Sequence, residues 1–253
     1  MKRFKYFSIA LVIIASMGLA SCDGDNEVID PALNNTIGGN NPGDNNNPGG
    51  VTASNDYWPT ALNNKWVMKE NGTNTYTLKF NAVETFNGLS FYRFDPITNT
   101  VGGASVGATT WLNKSNGVYT QKTGAVAFDV NGVSGTVSGF DIVILKENLP
   151  VAGTWTGSYQ QIFTYSQAGV PSVTQTVQYT GKITEKNVSA VVNNVTYNDV
   201  IKVNIVETVS ASGITTSEVE KEYWFAKNIG PIKIIHESDF GDFETVLIDY
   251  TLY

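Results

Sequence analysis

The chain has 253 residues, 16 Lys and Arg against 23 Asp and Glu, and a formal net charge of -7. That balance argues against a nucleic-acid binder, whose phosphate contacts need clustered Lys and Arg. A single cysteine excludes an intrachain disulfide, and a single histidine leaves little room for a histidine-based metal site.

Lys2, Arg3 and Lys5 form a basic start, followed by an apolar run from Tyr6 to about Leu19. The run is too short, and wrongly flanked, for an ordinary membrane-spanning helix, and it has the layout of an export signal. It ends in Leu19-Ala20-Ser21-Cys22, which resembles the bacterial lipobox. The resemblance implies a signal peptide over residues 1–21, cleavage before Cys22, a diacylglyceryl group on its sulfur and an acyl chain such as palmitate on its amine. Two or more chains hold a protein on a membrane where one does not, since each buried methylene contributes about 0.8 kcal/mol.

Residues 22–56 then read as a lipidated cysteine and a disordered tether. Asp23 to Asp56 is dominated by Asn, Gly and Pro, with no Lys, Arg or aromatic residue and too few apolar side chains for a core. As a flexible coil it spans roughly 30–35 Å. Its acidic residues, Asp23 and Asp25 first among them, follow the cysteine closely. That placement resembles the surface-export signal of Bacteroidota lipoproteins. It implies an outer-membrane lipoprotein exposed at the cell surface, with a periplasm-facing position as the alternative.

From Tyr57 the composition changes to Thr, Val, Tyr and Asn with frequent polar turns, and residues 57–253 read as one all-β domain. In chain order, strands are expected at WVMKE, TYTLKFN, SFYRF, TTWLN, GVYTQK, AVAFDV, FDIVIL, WTGSYQQIFTYS, SVTQTVQYTGKITE, VIKVNIVE, EVEKEYWFA, PIKIIHES and ETVLIDYTLY. Turns separate them at Asn71-Gly72, Asn87-Gly88, Asn116-Gly117, Asn131-Gly132, Asn193-Asn194, Ser212-Gly213 and Gly241-Asp242. No twelve-residue stretch has helical periodicity. Short loops between many strands predict a strongly curved antiparallel sheet or open half-barrel meander, with a two-layer β-sandwich as the alternative.

Three segments carry a family resemblance. YWPTALNNKWVMK (Tyr57 to Lys69), VTYNDVIKVNI (Val195 to Ile205) and EYWFAKNIGPIKII (Glu222 to Ile235) are similar to recurring segments of Bacteroidota cell-envelope lipoproteins of unknown function. Asn64 and Asn228 depart from the family's pattern. The resemblance implies an all-β envelope lipoprotein and brings no catalytic residue with it. The third segment also reads plainly as two strands joined by a turn, with Asn228 and Gly230 suited to positive φ and Pro231 opening the second strand.

Chemistry-bearing patterns are sparse. His236 lies in phase with Ile232 and Ile234, so it reads as a strand residue rather than a catalytic base. Gly102-Gly103 and Gly107 match no phosphate loop and read as hairpin or edge-strand glycines. If Phe240-Gly241 formed a two-residue loop, Asp239 would face Asp242 and Glu237 would face Glu244, and a hard cation would relieve the repulsion. Glu237, Asp239, Asp242 and Glu244 are thus a candidate metal group, weighed against a solvated turn. Among the five tryptophans, Trp111 and Trp155 have polar and Gly-rich neighbours and are the candidates for an exposed, ligand-stacking ring.

These features suggest a membrane-anchored, non-catalytic envelope binding or interaction module for a glycan, without cofactor, nucleic acid or identified protein partner. A half-barrel carrier of a lipid or other apolar ligand is the alternative, and a hydrolase with paired acids a distant third. If Cys22 is the anchor, Cys22→Ser should move the protein from the membrane and detergent phase into the aqueous phase, and unchanged partitioning contradicts it.

Overall fold

Period-two alternation, read above from apolar spacing, becomes a row of antiparallel strands. A computed structural model describes residues 55–253 apart from 102–103, 131, 212–213 and 240. The signal segment, Cys22 and nearly all of the tether therefore lie outside the described residues, as do Gly102-Gly103 and Phe240. The strands are β1 (Lys65–Glu70), β2 (Asn74–Phe86), β3 (Leu89–Phe94), β4 (Ile97–Val101), β5 (Ala104–Ala108), β6 (Thr110–Ser115), β7 (Val118–Thr123) and β8 (Val126–Val130). They continue with β9 (Val133–Val137), β10 (Phe140–Lys146), β11 (Thr154–Tyr165), β12 (Val173–Val192), β13 (Val195–Ala211), β14 (Ile214–Ala226), β15 (Gly230–Ser238) and β16 (Phe243–Thr251).

Fourteen of them form one sheet in the order β10-β7-β6-β3-β2-β1-β16-β15-β14-β13-β12-β11-β9-β8, with β4 and β5 as a separate hairpin. The half-barrel expectation holds: this is a single open, curved antiparallel sheet. The sequence reading left out β4, β5 and β9. Their segments ITNTV, ASVGA and VSGTV are short and rich in Gly, Ser, Thr or Asn, so they carry little apolar alternation. The expected turns form where they are described. Asn71, Asn87, Asn116, Asn193, Asn194 and Asn228 all have positive φ, as the left-handed turn positions demand.

Chain connections dictate the curl. β7 and β10 lie at one end of the strand order, β8 and β9 at the other. Only residues 124–125 link β7 to β8, and only 138–139 link β9 to β10. A link that short spans at most about 11 Å, so the two ends of the sheet must meet.

They meet without zipping into a continuous ladder. Side chains from the far half bond the outer edge of β10. Trp155 Nε1 on β11 donates to the Val143 carbonyl at 2.9 Å, and the Val143 amide donates to Tyr179 Oη on β12 at 3.2 Å. Two glycines make room for those rings. Trp155 stands opposite Gly181, and Gly157 opposite Tyr179. A Cβ on Gly181 would lie 2.2 Å from the Trp155 ring, and one on Gly157 would lie 2.3 Å from Tyr179.

The concave face is filled. Trp58, Trp66, Phe80, Phe94, Leu112, Tyr119 and Phe225 belong to one buried cluster. Trp58 is the plug, with ring centroids 5.9 Å from Trp66, 5.7 Å from Phe94 and 5.9 Å from Phe225. The segment carrying it is pinned. Tyr57 N–H donates to Tyr119 Oη, Asn228 N–H donates to the Asp56 carbonyl, and Lys114 pairs with the Asp56 carboxylate. Among the described residues, Asn55 and Asp56 already contact the sheet, through the side chain and amide of Asn228. A second, smaller cluster of Phe128, Val137, Phe163 and Tyr165 lies under β8, β9 and β11.

Gly181→Ala should push Trp155 off its seat and lower stability by about 1–3 kcal/mol. Urea unfolding of the variant checks this, and an unchanged midpoint contradicts the glycine seat.

Candidate functional site

The outer face between β2 and β10 gathers one nominated tryptophan with residues the sequence did not single out. A bulge in β2 between Phe80 and Ala82 reverses the alternation. Phe80 points into the core, and Glu84 and Phe86 beyond the bulge share the outer face with Arg93 and Trp111. Trp111 is half-buried, opposite Arg93 on β3 and Lys122 on β7.

Hydrogen bonds fix this group. Arg93 Nη1 donates to Glu84 Oε1 at 2.7 Å, and Trp111 Nε1 donates to Glu84 Oε2 at 2.9 Å, so each carboxylate oxygen has its own donor. Arg93 Nε donates to Asn81 Oδ1 at 3.0 Å, and Asn81 Nδ2 to Asp95 Oδ1 at 2.5 Å. Phe86 meets Trp111 edge-on at 5.4 Å, and Lys122, paired with Asp141, sits over the Phe86 ring at 5.1 Å. The result is an aromatic surface framed by two cations, Arg93 and Lys122, and three anions, Glu84, Asp95 and Asp141, all held in place.

Trp155, the other nominee, is only 5% exposed. The expectation of an open ring there is corrected, and the reason is physical. Of the neighbouring glycines that suggested exposure, Gly157 is the seat of Tyr179, and Trp155 itself packs over Gly181, which is distant in sequence. The two nominated tryptophans are therefore not brought together as a site.

The acidic group also differs from expectation. In β15 and β16 Ile235 faces Glu244 and His236 faces Phe243, so Glu244 is not opposite Glu237. Lys233 Nζ approaches Glu244 Oε2 at 2.5 Å, and Asp242 Oδ1 accepts from the Ser238 amide at 3.2 Å. Glu237, Asp239 and Asp242 are exposed. No group of three or more His, Cys, Asp or Glu that could hold a metal ion occurs among the described residues. The repulsion that motivated a cation is relieved by the lysine and by register.

Alternation also carries polar groups inward. Glu207 falls in phase with Val203, Ile205 and Val209, and Lys221 in phase with Val219, Tyr223 and Phe225. Their side chains pair at 2.9 Å in the interior. Burial alone would depress the Lys221 pKa, but the adjacent Glu207 carboxylate outweighs it and leaves the pKa raised. The ammonium is charged at neutral pH, and removing one partner of such a pair costs about 3–5 kcal/mol. Tyr159 and Tyr223 stand in the same field, and burial is the first cause of their raised pKa values. The visible signal was a charged residue in the apolar phase of a strand.

His236, opposite Lys221, is 2% exposed and stacked on Phe243 at 4.4 Å. Burial, reinforced by the Lys221 charge, lowers its pKa to about 4. It is neutral at ordinary pH.

Among solved structures, the chain is similar to a "putative lipoprotein" from Parabacteroides distasonis, with 12% identity and a TM-score of 0.50 over 77% of this chain and 98% of the other. It also matches a "putative exported protein with YmcC-like fold" from Bacteroides fragilis, at 10% identity and a TM-score of 0.33 over 77% and 98%. The first likeness is one of fold. No known family model matches, and no curated protein does.

The histidine yields a signed pH dependence. Between its ordinary pKa of 6.5 and about 4, the unfolded chain takes a proton that the folded chain refuses. Stability should therefore fall as pH drops through that window, by up to about 1.4 kcal/mol per unit, with no contribution from this group above it. His236→Gln should flatten that part of the denaturant-midpoint profile, and identical profiles contradict the assignment.

Proposed function

We propose that the chain is a lipid-anchored, non-catalytic module of the bacterial cell envelope that binds a glycan on its outer face around Trp111. The observation that carries this reading is the half-buried indole held by a doubly bonded Glu84 beside Phe86. Sugar rings present C–H faces to aromatic surfaces and hydroxyls to planar polar groups, and this surface offers both in fixed positions. Glu84, Asp95 and Asp141 outnumber Arg93 and Lys122 by one, which favours a neutral glycan over a polyanion.

The anchor rests on Leu19-Ala20-Ser21-Cys22, and the similarity in fold to a protein described as a lipoprotein is in keeping with it. The tether would carry the domain to the exposed side of the outer membrane. The non-catalytic reading draws on the buried, neutral His236, which has no nucleophile beside it in the contacts described. The apolar-carrier alternative loses ground because the inward aromatic residues are consumed by packing against one another.

The test is affinity electrophoresis through gels holding starch, xylan or a mixed-linkage β-glucan. At least one should retard the protein, and Trp111→Ala should weaken that retardation about three- to tenfold while the domain stays folded. Free migration in every gel, or retardation untouched by Trp111→Ala, contradicts the proposal.

A further inference from the structure

Four Asn-Gly steps occur in the chain, Asn71-Gly72, Asn87-Gly88, Asn116-Gly117 and Asn131-Gly132. The pairing suits tight hairpins, and it also sets a side-chain amide next to the least hindered backbone nitrogen a protein has. Asn131 lies outside the described residues, and the other three steps are held very differently.

At Asn71 the side chain is engaged. Its Oδ1 accepts from the Glu244 amide at 3.0 Å, and its own backbone amide donates to the Glu244 carbonyl at 2.8 Å. At Asn116 the backbone is engaged. The Asn116 carbonyl accepts from Asn148 Nδ2 at 3.0 Å, the Gly117 carbonyl accepts from the Glu147 amide at 2.8 Å, and Asn148 crowds the Gly117 Cα. Asn87 has none of this. Phe86 pairs with Leu89, so Asn87 and Gly88 alone form the loop, with φ of 51° and 79°. Both are exposed, nothing lies within 4 Å of a Cβ placed on Gly88, and the Asn87 side chain makes no hydrogen bond among the described residues.

We propose that Asn87 is a self-modification site, where the side-chain amide becomes a carboxylate by cyclisation onto the Gly88 nitrogen and hydrolysis. The Gly88 nitrogen loses its proton and attacks Asn87 Cγ. A Cγ–N bond forms, the Cγ–Nδ2 bond breaks, and ammonia leaves carrying that proton. Water then opens the cyclic imide at either carbonyl and leaves aspartate or isoaspartate, with no change of oxidation state. Ring closure needs the Gly88 peptide to rotate out of its hairpin geometry, and the open space around Gly88 permits it. At Asn71 and Asn116 the same rotation must first break the bonds just described. Aspartate adds a negative charge beside Phe86, at the rim of the Trp111 surface. Isoaspartate adds a backbone carbon to a loop whose length fixes the register, and so loosens the Phe86–Leu89 end of the β2–β3 ladder. The modification stands whatever the Trp111 surface binds.

The experiment ages the full chain at mildly alkaline pH and follows each Asn-Gly step by tryptic peptide mapping, with a parallel sample in urea. In urea the steps at Asn71, Asn87 and Asn116 should react at similar rates. In the folded chain Asn87 should react at least about tenfold faster than Asn71 and Asn116, the equivalent of about 1.4 kcal/mol. Asn87 shares its tryptic peptide with Asn81, so Asn87→Gln is the control and should abolish the conversion in that peptide. Hydrogen exchange at Leu89 should quicken in the isoaspartate form and not in Asn87→Asp. A folded chain in which Asn87 reacts no faster than Asn71 and Asn116, or a conversion that persists in Asn87→Gln, overturns the proposal. Equal exchange at Leu89 in the isoaspartate form and Asn87→Asp overturns the loosening of the ladder.

Discussion

The closure of this fold depends on the backbone N–H and C=O of one residue, Val143, on the open edge of β10. An edge strand offers unpaired amides and carbonyls to any passing chain, and proteins must cover, shorten or charge such edges. Here the covering groups are side chains. An indole takes the carbonyl and a phenol takes the amide, both from the far half of the same sheet. Full ladder pairing would make a closed barrel with a fixed stagger. Two side-chain bonds, with the short β7–β8 and β9–β10 links and the stacked Phe140–Tyr159 pair, instead hold the halves together while leaving the sheet open.

Closure of that kind sets the character of the interior. At one pole the inward face meets the chain's own entry segment, and Trp58 fills the space among Trp66, Phe94 and Phe225. Toward the other pole the inward positions turn polar, with an ion pair, a neutral histidine and unpartnered amides. A sheet that only needed stability would place Val or Ile there, since a well-packed apolar replacement of a buried pair is often neutral or stabilising. The convex face follows a different rule. The β2 bulge carries Glu84 and Phe86 outward, beside an indole that a regular strand would have left without its carboxylate.

Much of the architecture was legible in the sequence because antiparallel sheets advertise themselves locally. Alternation placed thirteen of the strands, and Asn-Gly pairs marked turns that have positive φ where described. The omitted strands β4, β5 and β9 lack that signal. The sites were harder to read, because a site is made by pairs distant in the chain. Trp155 and Gly181 are 26 positions apart yet face each other, so the seat of the ring lies outside the local sequence that suggested exposure. The β15–β16 register placed Glu244 beside Lys233, which no local spacing specified. Glu207 and Lys221 were readable in principle, as charges in an apolar phase, although their pairing required the β13–β14 register.

Hydrogen exchange at the Val143 amide tests the central claim, that side-chain capture of β10 closes the sheet. In the native chain this amide should be protected despite lying on an edge. Tyr179→Phe removes its acceptor while keeping the ring over Gly157. Exchange at Val143 should then rise at least tenfold, the equivalent of about 1.4 kcal/mol, with β7-paired amides of β10 unchanged. Equal protection of Val143 in both proteins would mean that something other than Tyr179 holds the edge, and the account of closure would fail.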